Sequence, residues 1–551
     1  MSLEYRRKIF IKFSLSKAHG NNRLAIFFLA LIRNRKEMPV DRNYRFFRKP
    51  RVGAVAACVA AALMTVSGAA RAQVWENLPQ PAVPTNSIVA QNAMPENPQG
   101  IPINPGTNGE IQPTPEFPAQ LKAGPEGNQE GYFFSLQDLG KYIGQDLQSD
   151  GIYLGGSYTG VFGNFTGGNE PGQGYNGDAF LGTDLDLNRM LGIQGAAIHF
   201  YVDDRQGGWF AKFMGSHYTQ PQIFGPNANF RLEEFSWDQS LFNDHLRFLV
   251  GRINPTTDFD FSPIYCNFIS TSVCPNAGPL IFDTAAGAAP VSEWGGRITL
   301  KPTLQTYFRV GAYEDDAFEN PGNGFDWSTS RATGELIPFQ VGYETNFDDD
   351  AYPRAYDVGA YYDNNTYNDP LYNAFGLPLA VYGGLPMQDP NRTAVWVQTQ
   401  QMIYRPDMNS HRGLTVFSNF MWETSGIAPI QGYYMAGLED IGPIPSRPHD
   451  MLNFAATVYS LNGRFQQALS QNIGGNGHAP NTEEMFELNY GMLIAPGCNF
   501  QPYIQYLVNP DQANVNYPVT RDRLPNAVVT GIQLTIALND FLGLPAFVRG
   551  N

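Results

Sequence analysis

From Gly151 to Leu538 the chain alternates apolar and polar positions with a period of two. Near its end Val528, Thr530, Ile532, Leu534, Ile536 and Leu538 interleave with Val529, Gly531, Gln533, Thr535 and Ala537. Ala196, Ile198, Phe200 and Val202 alternate in the same way with Ala197, His199, Tyr201 and Asp203. So do Leu452, Phe454, Ala456 and Val458 with Asn453, Ala455, Thr457 and Tyr459. Successive side chains of a β-strand point to opposite faces, so each segment predicts a strand with one apolar and one small or polar face. In a soluble sandwich the apolar face would be the core. In a membrane barrel it meets lipid, and the polar face lines a water-filled lumen. Segments of about ten residues, aromatics near their ends and long Asn/Asp/Gly-rich connections favour the barrel. At roughly 24 residues per strand and connection, about 390 residues supply about 16 strands. The fold expected is all-β: a transmembrane antiparallel β-barrel.

The flanks follow other rules. Eleven prolines lie between Pro79 and Pro125, with Asn, Gly and Gln between them. Too few apolar residues are present to offset the entropy of ordering, so 73–130 is expected to be an extended, disordered linker. The spacing of Phe134, Leu136, Leu139 and Leu147 then predicts one short helix within 131–150, capping or plugging the periplasmic mouth of a barrel that occupies 151–551. At the other end, Arg48, Lys49 and Arg51 precede an apolar run from Val52 to Val66, and Ala70-Arg71-Ala72 supplies the small residues of a cleavage site. Residues 1–72 therefore read as a secretory signal peptide cut before Gln73, with Met38 as the expected start of translation. Val55-Ala56-Ala57-Cys58 loosely fits a lipid-attachment box, but the apolar run continues past Cys58.

Composition agrees and narrows the function. Gly (56) and Pro (41) are abundant, which disfavours a helical protein. Residues 1–72 hold 15 Lys/Arg and 3 Asp/Glu, so the mature chain carries 36 − 15 = 21 basic and 51 − 3 = 48 acidic residues, a net charge of −27. That balance excludes a nucleic-acid partner, which requires a basic surface. An oxidising periplasm permits a disulfide, and Cys266 with Cys274 would close a small loop worth about 2.5 kcal/mol. Cys498 is then left over. No cysteine has zinc-ligand spacing, so neither a metal nor a cofactor is expected. The pairs Glu233-Glu234 and Glu483-Glu484 invite a glycosidase reading, but neighbours on a strand face opposite ways and cannot flank one sugar. His199, His245 and His449 form no nucleophile–base set readable in the sequence. The expectation is a protein that is not an enzyme. A secreted carbohydrate-binding or carbohydrate-cleaving β-protein is the alternative.

The order of segments resembles a known family. GIYLGGSYTGVFGNFTGG (151–168), LGTDLDLNRMLGIQGAAIHF (181–200) and RLEEFSWDQSLFNDHLRFLVGRINPTTDF (231–259) come first. A loop with Cys266 and Cys274 follows, then SEWGGRITLKP (292–302), IPSRPHDML (444–452), EEMFELNYGMLIAPGCNFQPYIQYLVNP (483–510) and AVVTGIQLTIAL (527–538). In this order they resemble the carbohydrate-selective outer-membrane porins, the OprB family. The resemblance implies a 16-stranded barrel in the outer membrane of a Gram-negative bacterium, with an eyelet of charged and aromatic residues. It implies sugars or polyols as permeants, outer-membrane lipids and the barrel assembly machinery as partners, and a monomer or homotrimer. The chain departs from the family in running past the last strand through Asn539-Asp540-Phe541 and in its longer Pro-rich linker.

Alternation nominates lumen-facing positions. Asp184 and Asp186 lie opposite Leu185 and Leu187, Arg247 opposite Leu246 and Phe248, Arg297 and Lys301 opposite Ile298 and Leu300, and Arg309 opposite Phe308 and Val310. Between Arg231 and Gln239 the pattern is poor, and either Glu233/Phe235/Trp237 or Glu234/Ser236/Asp238 faces inward. The resemblance makes Glu234 and Trp237 attractive as sugar contacts. For each arginine the competing reading is a lumen charge that only balances carboxylates. For Trp237 and Trp294 it is an interfacial aromatic belt.

Overall fold

The computed structural model describes residues 136–547, apart from 209, 217, 222, 224–229, 276, 287–289, 317–321, 473–480 and 511–523. The expected signal peptide and Pro-rich linker lie outside the described residues. A helix, α1 (Asp138–Ser149), precedes the strands. Among the described residues there are sixteen strands. The first four are β1 (Ile152–Gly167), β2 (Gly172–Asp186), β3 (Ala196–Gly207) and β4 (Phe230–Leu241). Next come β5 (Leu246–Ile253), β6 (Glu293–Leu300), β7 (Thr306–Asp315) and β8 (Gly334–Glu344). They continue with β9 (Arg354–Asn373), β10 (Pro386–Tyr404), β11 (Gly413–Glu423) and β12 (Ile430–Ile441). The last four are β13 (Met451–Leu461), β14 (Thr482–Ala495), β15 (Cys498–Val508) and β16 (Ala527–Ala537), followed by a short helix α2 (Leu538–Leu542).

Each strand pairs antiparallel with its sequence neighbours, and β1 closes on β16 in a register running from Ser157 opposite Ala537 to Gly167 opposite Ala527. Closure leaves no free edge, which is what lets a sheet sit in lipid. The strand number matches the expectation from segment length. The two faces separate as the period-two pattern requires. Phe162, Val250, Ile298, Val358, Phe420 and Ile504 point outward and are 41–56% exposed. A soluble sandwich would bury such a band, whereas a membrane barrel presents it to acyl chains.

The two rims differ. One carries short connections such as 242–245 and 496–497; the other carries 208–229, 254–292, 316–333, 462–481 and 509–526. Short turns mark the periplasmic rim and long loops the extracellular one. β5 and β6 are short, so the upper part of β4 lacks a partner on that side. Residues 322–327 fill the notch from outside: Leu232 N donates to Asn323 O at 2.9 Å, and Trp327 stacks on Phe235 with centroids 5.7 Å apart.

Candidate functional site

Two extracellular connections fold into the lumen. The larger, residues 254–292 between β5 and β6, is buried along almost its whole described length and pairs Cys266 with Cys274 in a disulfide, Cα–Cα 4.7 Å. It crosses from one wall to the other. At its start, Asp258 Oδ1 lies 2.7 Å from Arg297 Nε, and Tyr313 donates to Asp258 Oδ2 at 3.2 Å. Asp260 then takes Asn419 Nδ2 at 2.7 Å and the Ala277 amide at 2.8 Å, and its own amide donates to Gln340 at 3.1 Å. Burial pushes the Asp260 carboxyl well above the usual carboxylate range, against the pull of the bonds from Asn419 and Ala277. Further on, Glu487 accepts the amides of Ile269 (2.8 Å) and Ser270 (3.0 Å), and Arg392 donates to Asp283 O at 2.8 Å. The described part of the smaller connection, between β3 and β4, rests on the larger at Tyr218 and Thr219: Thr271 Oγ1 donates to Tyr218 O at 2.8 Å, and Ser270 Oγ to Thr219 O at 3.1 Å.

Beneath this crossing segment, β2 to β7 present a charged wall. His199 Nδ1 hydrogen-bonds Asp184 Oδ1 at 2.5 Å, and its Nε2 lies 3.6 Å from Asp238 Oδ2. Tyr201 donates to Asp184 at 2.6 Å. Its ring lies flat across Gly182, where a Cβ would come within 2.4 Å of Cδ1, so glycine there lets the phenol reach the carboxylate. Asp238 is held in turn by Arg247, whose Nε donates at 3.0 and 3.1 Å. Arg297 follows on β6 and Arg309 on β7, with the Arg309 guanidinium 5.0 Å from the Tyr307 ring centroid and bonded to Asp258 O. Acids on β2 and β4 thus give way to bases on β5, β6 and β7, each tied to a neighbour. Charge-assisted bonds of this kind are short and strong and fix side-chain positions.

In a ring of sixteen strands, β13, β14 and β15 stand opposite β5, β6 and β7. Their lumen face carries amides beside the carboxylates of Glu483 and Glu487. Gln501, Asn489 and Asn453 all donate to Asn267 O of the crossing segment, at 2.7, 3.1 and 3.4 Å. One wall therefore combines guanidinium with carboxylate, the other carboxamide with the β14 carboxylates, and residues 258 and 267 of the same segment touch both.

Sequence-nominated positions fall into three groups. Asp184, Glu234, Arg247, Arg297 and Arg309 face the lumen on the charged wall. Asp186 faces inward but works at the rim: it caps the short helix Leu187–Leu191, accepting from Asn188 N at 2.9 Å and Arg189 N at 3.2 Å. Lys301 sits in a periplasmic turn between Asp244 (3.5 Å) and Glu344 (3.7 Å). Trp237 is a correction. It lies between the inward Ser236 and Asp238 and opposite the exposed Val250, so its ring faces outward and offers no sugar platform. The cause is a β-bulge: Tyr201 pairs with Glu234 but Val202 with Leu232, leaving Glu233 as the extra residue. The bulge also overturns the expectation that Glu233 and Glu234 face opposite ways, since both are buried inside the barrel. Sequence reasoning missed His199 as a site member, although period two places it on the inner face, and it left Asp238 in one of two alternative inward sets. It missed Asp258 and Asn267 because a loop carries no periodicity.

The family model described as carbohydrate-selective porin, OprB family, matches residues 170–538. Porin B of Pseudomonas aeruginosa is 25% identical over 382 residues, covering 65% of this chain and 81% of that protein. The putative porin QuiX of Acinetobacter baylyi is 24% identical over 361 residues, covering 61% and 78%. Among solved structures, the high-pH structure of Pseudomonas putida OprB superposes with a TM-score of 0.66 at 24% identity, over 74% of this chain and 99% of that one. The matched span contains fifteen of the sixteen strands, β2 to β16, and the whole crossing segment. The chain belongs to the carbohydrate-selective porins of the OprB family and is an outer-membrane β-barrel porin.

Proposed function

We propose that the channel passes monosaccharides and similar small polyols by diffusion, and that the wall of Arg247, Arg297 and Arg309 with Asp184 and Glu234 is where it tells them from charged solutes. The observation that carries the reading is the pairing of the arginines with Asp238 and Asp258 beneath an in-folded segment. A neutral polyhydroxyl solute exchanges water for bonds to guanidinium and carboxylate groups, each worth about 1.5–3 kcal/mol net. An ion must give up a costlier hydration shell at charges that already hold partners. No chemistry is assigned to the carboxylates: their partners are arginine, histidine, tyrosine and serine, an arrangement that suits holding a shape. The same reading has residues 1–72 removed as a signal peptide, a chain inserted by the barrel assembly machinery, and a monomer or homotrimer in the outer membrane.

Liposome swelling with glucose, xylose, mannitol and gluconate tests this reading. Faster entry of the neutral solutes than of gluconate at equal size supports it; equal rates for all four sink it. Fractionation separates the alternative: a soluble periplasmic or secreted protein with no heat-modifiable migration would place it among sugar-binding or sugar-cleaving proteins.

A further inference from the structure

The chain continues past β16 and turns back beneath the barrel. α2 ends at Gly543, whose φ of +72° is a left-handed conformation and whose Cβ, if present, would lie 2.0 Å from Gln137 O. Glycine is what allows the chain to reverse there. Leu544 and Pro545 then run along α1, where Gly140 and Gly144 leave room for them. A Cβ at Gly144 would sit 2.2 Å from Pro545 Cδ, and one at Gly140 would sit 3.0 Å from Leu544 Cδ2. Phe547 follows, buried to 3% exposure. Its ring centroid is 5.1 Å from that of Tyr153 and 6.0 Å from that of His199. Tyr153 and His199 both belong to the inner faces of their strands, so the Phe547 ring is inside the wall and next to the Asp184–His199–Asp238 group.

Two kinds of attachment hold this segment. At its root the Asn539 amide is clamped to β1, donating to Leu154 O at 3.1 Å and accepting from Gly156 N at 3.2 Å. Beyond the bend, among the described residues, no hydrogen bond joins 545–547 to the wall, and the Phe547 ring packs on those of Tyr153 and His199. A clamped root, a glycine at the bend and a ring contact beyond it make a hinged element. We propose that residues 543–547 are a strap across the periplasmic mouth, seated by α1 and latched by Phe547, and that solute leaves the channel when the strap swings out. The proposal rests on the porin reading only for what passes; the strap itself gates ions as well. Burying one phenylalanine favours the latched state by roughly 10- to 150-fold, so the open state stays populated at equilibrium and the latch yields without an energy source.

The test uses the full chain in planar bilayers and in liposomes, with folding checked by heat-modifiable migration. Phe547→Ala removes the latch, and Gly144→Val pushes Pro545 off α1 without touching the barrel. Each is expected to raise the open fraction of the potassium chloride current about tenfold or more. In a third variant, Tyr153→Cys and Phe547→Cys are combined with Cys498→Ser and joined by a short bis-methanethiosulfonate linker. This channel should fall silent on linking and recover with reductant. Native open fraction in both single variants, together with undiminished current after linking, would overturn the strap. Failure of the porin reading looks different: the currents change as described, yet glucose and gluconate enter the liposomes at the same rate.

Discussion

Replacing Arg309 with Ala isolates the permeant's share of one eyelet charge. In the native channel Arg309 bonds Asp258 O, lies 3.4 Å from Thr299 Oγ1, and sits over the rings of Tyr307 (5.0 Å) and Phe259 (5.9 Å). Losing it costs the crossing segment one bond to a carbonyl. Asp258 keeps Arg297 at 2.7 Å and Tyr313 at 3.2 Å, and the segment keeps its ties to Gln340, Asn419 and Glu487. The segment therefore stays in place, and no lipid-facing surface changes. A bond from guanidinium to a sugar hydroxyl contributes about 1.5 kcal/mol net at the low end of its range, and 1.36 kcal/mol is a factor of ten. The glucose concentration that half-blocks single-channel current should thus rise about tenfold, and selectivity should shift toward cations as one positive charge leaves the wall. Recording current at graded glucose reads both. An unchanged half-blocking concentration in a normally inserted channel would refute the assignment, and failure to insert would make Arg309 structural.

Three further outcomes are expected. The mature protein should begin at Gln73 by N-terminal sequencing, and a lipidated Cys58 start would show the apolar run misread. Deleting residues 75–128 should leave a heat-modifiable, conducting barrel, because a segment with eleven prolines supplies no central strand; loss of assembly would give that stretch a packing role. Trp237→Leu should leave glucose block unaltered, while Trp237→Arg should impair insertion by about 2–4 kcal/mol if the position lies near the bilayer midplane; a weakened glucose block in Trp237→Leu would return the ring to the lumen.

Legibility in the sequence followed the physics of each segment. The walls could be read because a strand's two faces meet different solvents, so Arg297 between Ile298 and Gly296, or Arg309 between Phe308 and Val310, declares its direction locally. One bulge was enough to defeat that logic. Between Arg231 and Gln239 the extra residue Glu233 puts three acids, Glu233, Glu234 and Asp238, on the inner face and sends Trp237 outward. No single parity describes such a stretch. The crossing segment was opaque for a different reason. Its order comes from partners far away in the chain, such as Asn267 with Gln501 or Asp260 with Asn419, and neither partner alone carries a signal of the pairing. The tail beyond β16 stood out as a departure, but only the glycines of α1 and the clamp at Asn539 show where it goes.

A thin-walled cylinder squeezed from the side resists poorly: it ovalises at little cost, because bending a wall is softer than stretching it. The segment joining β6 and β7 at Asp258 to β14 and β15 at Asn267 spans near-opposite points of this cylinder and acts as a tie across its diameter. Such a brace sets the cross-section by its own length rather than by the lateral pressure of the surrounding lipid. The aperture a sugar meets should then hold constant from thin to thick bilayers. A channel with Asn267 released from its amides should instead change conductance with the membrane around it.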